Sequence, residues 1–395
     1  MSHSPVVRSS SRPWRLHLSC LLIAATLVAG CRPEDLTRPK HLATSSNQSI
    51  LDGVVAPPPI GNATDPGPSN RVAYAFADQP TAASYWPQNV WSYAGGPIKV
   101  QRIGVGHYAV DFDYLSNYVH GGSESVVATA IGYARVQCSP DFWFSSATQD
   151  KLSVRVDCIE MRTGLHEDSP FTILVVGSRS LPAASAFAIA SQPSAASYTP
   201  DPAYSYTTGA GAQLITHNPL PGDWNVQLGT GSPIKSTYLV NSREMNHVCA
   251  VGAWTSLGAR VRCFDSTGTA VNSTYDVLQI ARGRTGRRFG FAWANLPTTL
   301  TYTPNPNYSY NSSGGPIGVE RVSNGQYVVS FQGLHRPWDD LTHTENVQLT
   351  TYGTTYASCS ISNWYDQSDW LVVWVFCVDR LGNQVDARFN VLVIE

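Results

Sequence analysis

From residue 71 onward, apolar residues fall in short runs and in alternation, separated by Gly, Pro, Asn and Ser clusters. A period of two marks strands with one face turned inward, and no stretch shows the 3.6-residue period of a helix. The clearest alternation occurs three times, as Tyr74-Ala75-Phe76-Ala77, Phe187-Ala188-Ile189-Ala190 and Phe291-Ala292-Trp293-Ala294. Each such strand has a bulky face and a small face, and the small face implies close approach by another element.

The recurrence extends well beyond that strand. A proline follows at Pro80, Pro193 and Pro297, then Tyr-x-Pro at Tyr85/Pro87, Tyr198/Pro200 and Tyr302/Pro304, then aromatic-Ser-Tyr ending at Tyr93, Tyr206 and Tyr310. Gly-Gly-Pro-Ile occurs at residues 95–98 and 314–317 and is missing from the second copy. A hairpin signal, Gly-x-aromatic-x-Val, starts at Gly106, Gly222 and Gly325. Cys-x4-Trp follows (Cys138/Trp143, Cys249/Trp254, Cys359/Trp364), then a second cysteine, an acid (Glu160, Asp265, Asp379) and a glycine turn. Asp168, Asn272 and Asp386 stand three residues before the closing strand of each copy. The pattern predicts seven or eight short strands per copy and no helix. The expected fold is all-β, with three tandem β-sandwich or small β-barrel domains of about 100 residues each. The copies run over 71–178, 184–281 and 287–395. A β-propeller-like array is the alternative, and periodicity does not separate the two.

The N-terminus reads as an address. Arg8, Arg12 and Arg15 precede an apolar run from Leu16 to Ala29, too short to span a bilayer. The run ends in Leu27-Val28-Ala29-Gly30-Cys31, which resembles the lipobox of bacterial lipoproteins. That resemblance implies a signal peptide over 1–30, acyl chains on Cys31, and stable membrane anchoring through them. The same resemblance implies that Arg32, in place of an aspartate, directs the chain to an outer membrane or cell surface. Residues 31–70, rich in Pro, Ser and Asn, read as a tether spanning roughly 30–40 Å on average. The repeats themselves resemble those of uncharacterised secreted bacterial proteins with tandem Tyr-x-Pro…Tyr-Ser-Tyr…Gly-Gly-Pro-Ile units. This second resemblance covers 71–395 and implies no activity, so no functional residue is carried over from it.

Composition narrows the function. Charged residues are only 14% of the chain and the formal net charge is -2, so the basic surface that nucleic-acid binding needs is absent. Cys20 leaves with the signal peptide and Cys31 is lipidated. The repeat then pairs the remaining six cysteines as Cys138–Cys158, Cys249–Cys263 and Cys359–Cys377. Such bridges persist in an oxidising compartment, and loops of this length stabilise a domain by roughly 3 kcal/mol each.

Candidate chemistry is sparse. Ser232-Pro233-Ile234-Lys235 matches an acylating Ser-x-x-Lys motif but lies in strand context without its companion motifs. No catalytic residue, metal site or cofactor is expected, because no phosphate loop, nucleophile elbow or clustered Cys/His spacing occurs. Trp143, Trp254 and Trp364 are expected to pack in cores, and the repeated acids to fix the turns after them. The segment that stands out is a loop bearing His335, Trp338, Asp339, Asp340 and His343, with Tyr114, Tyr118 and His120 in the matching part of copy one. These residues are the candidate ligand loop. The leading expectation is a tethered, non-catalytic envelope module that binds a glycan or a protein. The alternatives are a structural envelope component and a hydrolase built on the copy-three loop.

Overall fold

The computed structural model describes residues 72–116, 123–133, 135–146, 148–231, 235–283, 288–335 and 345–395. The described residues hold no α-helix, and each copy is a β-sandwich. In copy one a four-stranded sheet (Val90–Ser92, Val72–Ala77, Phe171–Gly177, Glu124–Ala130) faces a second sheet. That second sheet is ordered Ser84–Tyr85, Ile98–Gly104, His107–Asp113, Lys151–Glu160, Val136–Ser146, with Leu165–His166 pairing off Lys151–Glu160. We call these the inner and outer sheets. Copies two and three repeat the plan, with inner strands Ala186–Ala190 and Phe289–Ala294 in the place of Val72–Ala77. The described residues form nine or ten strands per copy, more than the sequence pattern predicts, because two-residue strands such as Ser84–Tyr85 leave no alternation to read.

The small-and-bulky alternation now has a physical cause. Ala73, Ala75 and Ala77 point into the sandwich of copy one, where they let the outer sheet approach, and Ala188 and Ala292 do the same in their copies. The bulky residues point the other way. Tyr74, Val127 and Leu174 meet Phe187, Leu239 and Leu278, and Phe289, Phe291 and Leu392, in a fourth core shared by all three inner sheets. Three sandwiches thus stand around a common apolar centre, an arrangement the repeats alone do not reveal.

The copies also clasp one another in a closed ring. Trp364 of copy three packs on Phe76 of copy one, with ring centroids 5.1 Å apart. Trp254 of copy two packs on Trp293 of copy three at 4.5 Å. Ile189 of copy two packs against the core of copy one, to which Trp143 belongs. Trp143 is buried in its own core as expected, whereas Trp254 and Trp364 are partly buried and pack both against their own cores and across a seam. Near the centre, the edge strands of the inner sheets are satisfied by polar side chains from neighbours. Thr129 donates to Gln348 at 2.8 Å, Asn241 to the Ala128 carbonyl at 2.9 Å, and the Val240 amide to Thr350 at 2.9 Å.

Other repeated residues hold loops. The three cysteine pairs are disulfides between directly opposed positions on adjacent outer strands. The Tyr-x-Pro hydroxyls each accept a backbone N–H six residues upstream, at Gln79, Gln192 and Leu296. Asp168 binds Arg102 in bidentate fashion (2.9 and 2.8 Å) and accepts the Gly106 N–H; Asp386 does the same with Arg321 and Gly325. Gly106 has φ +65°, and a Cβ there would lie 2.5 Å from the Cys158 carbonyl, which explains the invariant glycine of the hairpin. In copy two the ion pair becomes His217 and Asn272, 2.9 Å apart. The repeated acids fix their turns as expected. Asp265 accepts from Thr267 and Thr269, Asp379 from Leu381 and Asn383, and Glu160 from Thr163.

Copy two carries one buried acid where its sisters are uncharged. Asp276 is 2% exposed and replaces Thr172 and Asn390 at equivalent positions of the closing strands. Burial pushes its carboxyl up to about 7 against the opposing pull of Arg243, whose guanidinium lies 3.4 Å away. A carboxyl raised on folding favours the folded state fully below its unfolded value. That contribution is lost as pH rises through about 7. Asp276→Asn, neutral at every pH, should therefore gain stability relative to the parent between pH 5 and pH 8. Urea midpoints of both proteins across that range check this; a difference independent of pH would contradict it.

Candidate functional site

The outer sheet of copy one places three metal-binding or acid–base side chains on its outward face. His107 and Asp157 are directly opposed on adjacent strands, and His166 is opposed to Ile159. Alternation puts Asp157 and Ile159 on the same face, with Val156 and Cys158 turned into the core. All three polar side chains therefore converge. His107 Nδ1 lies 2.6 Å from Asp157 Oδ1, and the two imidazoles stack with centroids 3.7 Å apart and planes at 35°. One nitrogen or oxygen from each residue lies within 4.8 Å of the others. His166 Nε2 is buried without a hydrogen-bond partner. Burial, and then the neighbouring His107, lowers the His166 pKa, so the neutral ring is favoured.

The other copies show what this position holds by default. Register equates His107, Asp157 and His166 with Asp223, Arg262 and Ala270 in copy two, and with Gln326, Phe376 and Gln384 in copy three. Copy two makes an ion pair there, Arg262 to Asp223 at 3.0 Å with Arg260 also on the carboxylate. Copy three keeps amides and an aromatic. Only copy one assembles two imidazoles and a carboxylate.

Asp157 also lines a groove at the seam between copies one and two. The other two seams are closed by parallel bridges, Val251 to Tyr352 and Ile361 to Ile131. The equivalent residue at the first seam, two positions after the cysteine, is Pro140, which has no N–H to donate. No bridge forms there among the described residues, and a shallow groove lies there instead. Gln137, Ser139 and Asp141 form one wall, and Arg243, Asn246 and His247 the other. Met161 and Met245 add apolar surface. Burial and then the nearby Asp157 raise the Asp141 carboxyl pKa. The Arg243 guanidinium lies 4.7 Å over the Trp143 ring, and Glu244 accepts the Thr274 N–H, so both are held in place.

The loop favoured by the sequence lies only partly within the described residues. Tyr114 is exposed with φ +61°. His335 has a buried Nδ1 without a partner, and its carbonyl accepts from Arg288 at 3.1 Å. Tyr118, His120, Trp338, Asp339, Asp340 and His343 lie outside the described residues, as do residues 232–234 of the Ser-x-x-Lys motif and all of 1–71, including Cys31. Sequence reasoning missed His107, Asp157 and His166 because fifty and nine residues separate neighbours that only strand register unites. Aligning the three hairpins would have exposed them as copy-specific ionisable residues. No family model, curated protein or solved structure matches this chain.

Proposed function

We propose that the protein is an exported, lipid-anchored, non-catalytic envelope module that binds a small polyhydroxylated ligand, a glycan, in the groove between copies one and two. The observation that carries this reading is the local loss of repeat symmetry. Two seams are sealed by a backbone bridge and aromatic packing, while the third is open and lined by amide, carboxylate, hydroxyl and guanidinium groups. The groove is shallow, with enclosed room of only about 20 Å³, so a ligand would lie along its polar walls rather than inside it. It suits a sugar unit better than a protein surface, which needs a far larger contact area. Three disulfides accord with an oxidising, extracytoplasmic environment. Anchoring through Cys31 rests on the lipobox resemblance.

A glycan array probed with the full-length chain tests the reading. Retention of a defined glycan is expected, with loss of at least tenfold in affinity for Asp141→Lys, which reverses charge on one wall. No retained glycan, or retention indifferent to Asp141→Lys in a protein of unchanged melting behaviour, would remove the groove from consideration. Lipidation is read separately by the mass of the N-terminal peptide.

A further inference from the structure

We propose that His107, Asp157 and His166 form a binding site for one divalent transition-metal ion, of which zinc is the simplest probe. The inference does not depend on the glycan reading. Two imidazoles and a carboxylate are a ligand set that suits zinc and its neighbours, and leave a coordination position for water or a ligand atom. The donors are mounted on paired strands of one disulfide-clipped sheet, so their backbone positions are fixed before any ion arrives. Their present mutual distances, all within 4.8 Å, need to close only to the roughly 3.3 Å that bonds of about 2.0–2.1 Å impose at a tetrahedral ion. Small side-chain rotations achieve that.

Two observations point to a ligand rather than to a plain His–Asp contact. His166 Nε2 is buried with no partner, a costly condition that a metal bond relieves. The two rings lie with centroids 3.7 Å apart beside Asp157, so the three donors share one spot on the sheet face. The equivalent positions of the other copies are filled by an ion pair in one and by Gln326, Phe376 and Gln384 in the other, so the sandwich does not require this cluster.

The test is a zinc titration of the chelator-stripped full-length chain in detergent, followed by calorimetry and by competition with a chromogenic chelator. One equivalent should bind, and thermal stability should rise with zinc concentration. His107→Gln and His166→Gln should each weaken binding at least tenfold. The His107 side chain is 41% exposed, so its replacement should disturb folding little; a melting curve in the absence of zinc reports whether the fold survives. Absence of stoichiometric binding would overturn the proposal. So would binding left intact in His107→Gln, which would assign the ion to another part of the chain.

Discussion

A chain cut to copy two alone, residues 184–281, should fail to fold as a monomer. Its sandwich core is complete, with Trp224, Val226, Val261, Cys263 and Tyr275 buried within it. The opposite face of its inner sheet is not complete. Phe187, Leu239, Leu278 and Ile280 are each 3% exposed or less in the whole protein, and what covers them belongs in large part to the other two copies. Uncovering four large apolar side chains costs about 1.5–3 kcal/mol each. The sum, roughly 6–12 kcal/mol, is as large as the total stability of most domains. Circular dichroism and sedimentation of the fragment check this. A monomer with a cooperative melt would show that the copies are independent domains.

Trp254→Ala should be the most damaging single substitution at the seams, at about 3–5 kcal/mol. Trp254 lies 4.5 Å from Tyr308 in a near-parallel stack, 4.5 Å from Trp293 edge-on and 5.0 Å from Tyr352. Aromatic pairs of this kind contribute about 0.5–1.5 kcal/mol each beyond the area they bury. Tyr352 also carries the backbone bridge to Val251, so loss of the ring loosens the strand that joins copies two and three. Trp364, which among the described residues packs on the ring of Phe76 only, should cost distinctly less on replacement by alanine. Equilibrium denaturation of the two variants in parallel gives the comparison; equal losses would mean that the tryptophans act only within their own sandwiches.

The all-β class was legible because alternation and turn residues report directly on local backbone, whereas the choice of sandwich over propeller-like array was not, because it turns on how the sheets pack. The disulfides were legible because repeat symmetry reduces the pairings to one set. What covers the bulky faces of the inner sheets was not legible, since Tyr74, Phe187 and Phe291 look alike whether they face a private core or a shared one. For the same reason the seam contacts of Trp254 and Trp364 were not legible, although their packing against their own cores was. Apolar burial is visible in a sequence, but the identity of the partner is not. The candidate site was hidden more deeply. His107, Asp157 and His166 become neighbours through register, and the groove beside them lies at the seam where Pro140 stands in place of the bridging Val251 and Ile361.

The ring also sets an order of events. Thr129 and Gln348, which join copies one and three, are 219 residues apart, and Ser360 reaches the Gly132 carbonyl across 228. Contacts so distant form late, because loop closure must precede them. A chain made from its N-terminus has finished Tyr74 and Val127 long before Phe389–Ile394 exist to enclose them. For that interval the first sandwich carries an uncovered apolar face and an unsatisfied edge strand, both of which invite association with other chains. The nascent protein is therefore at its most aggregation-prone when two thirds complete, and a chaperone that holds the first copy until the third arrives would act on that window.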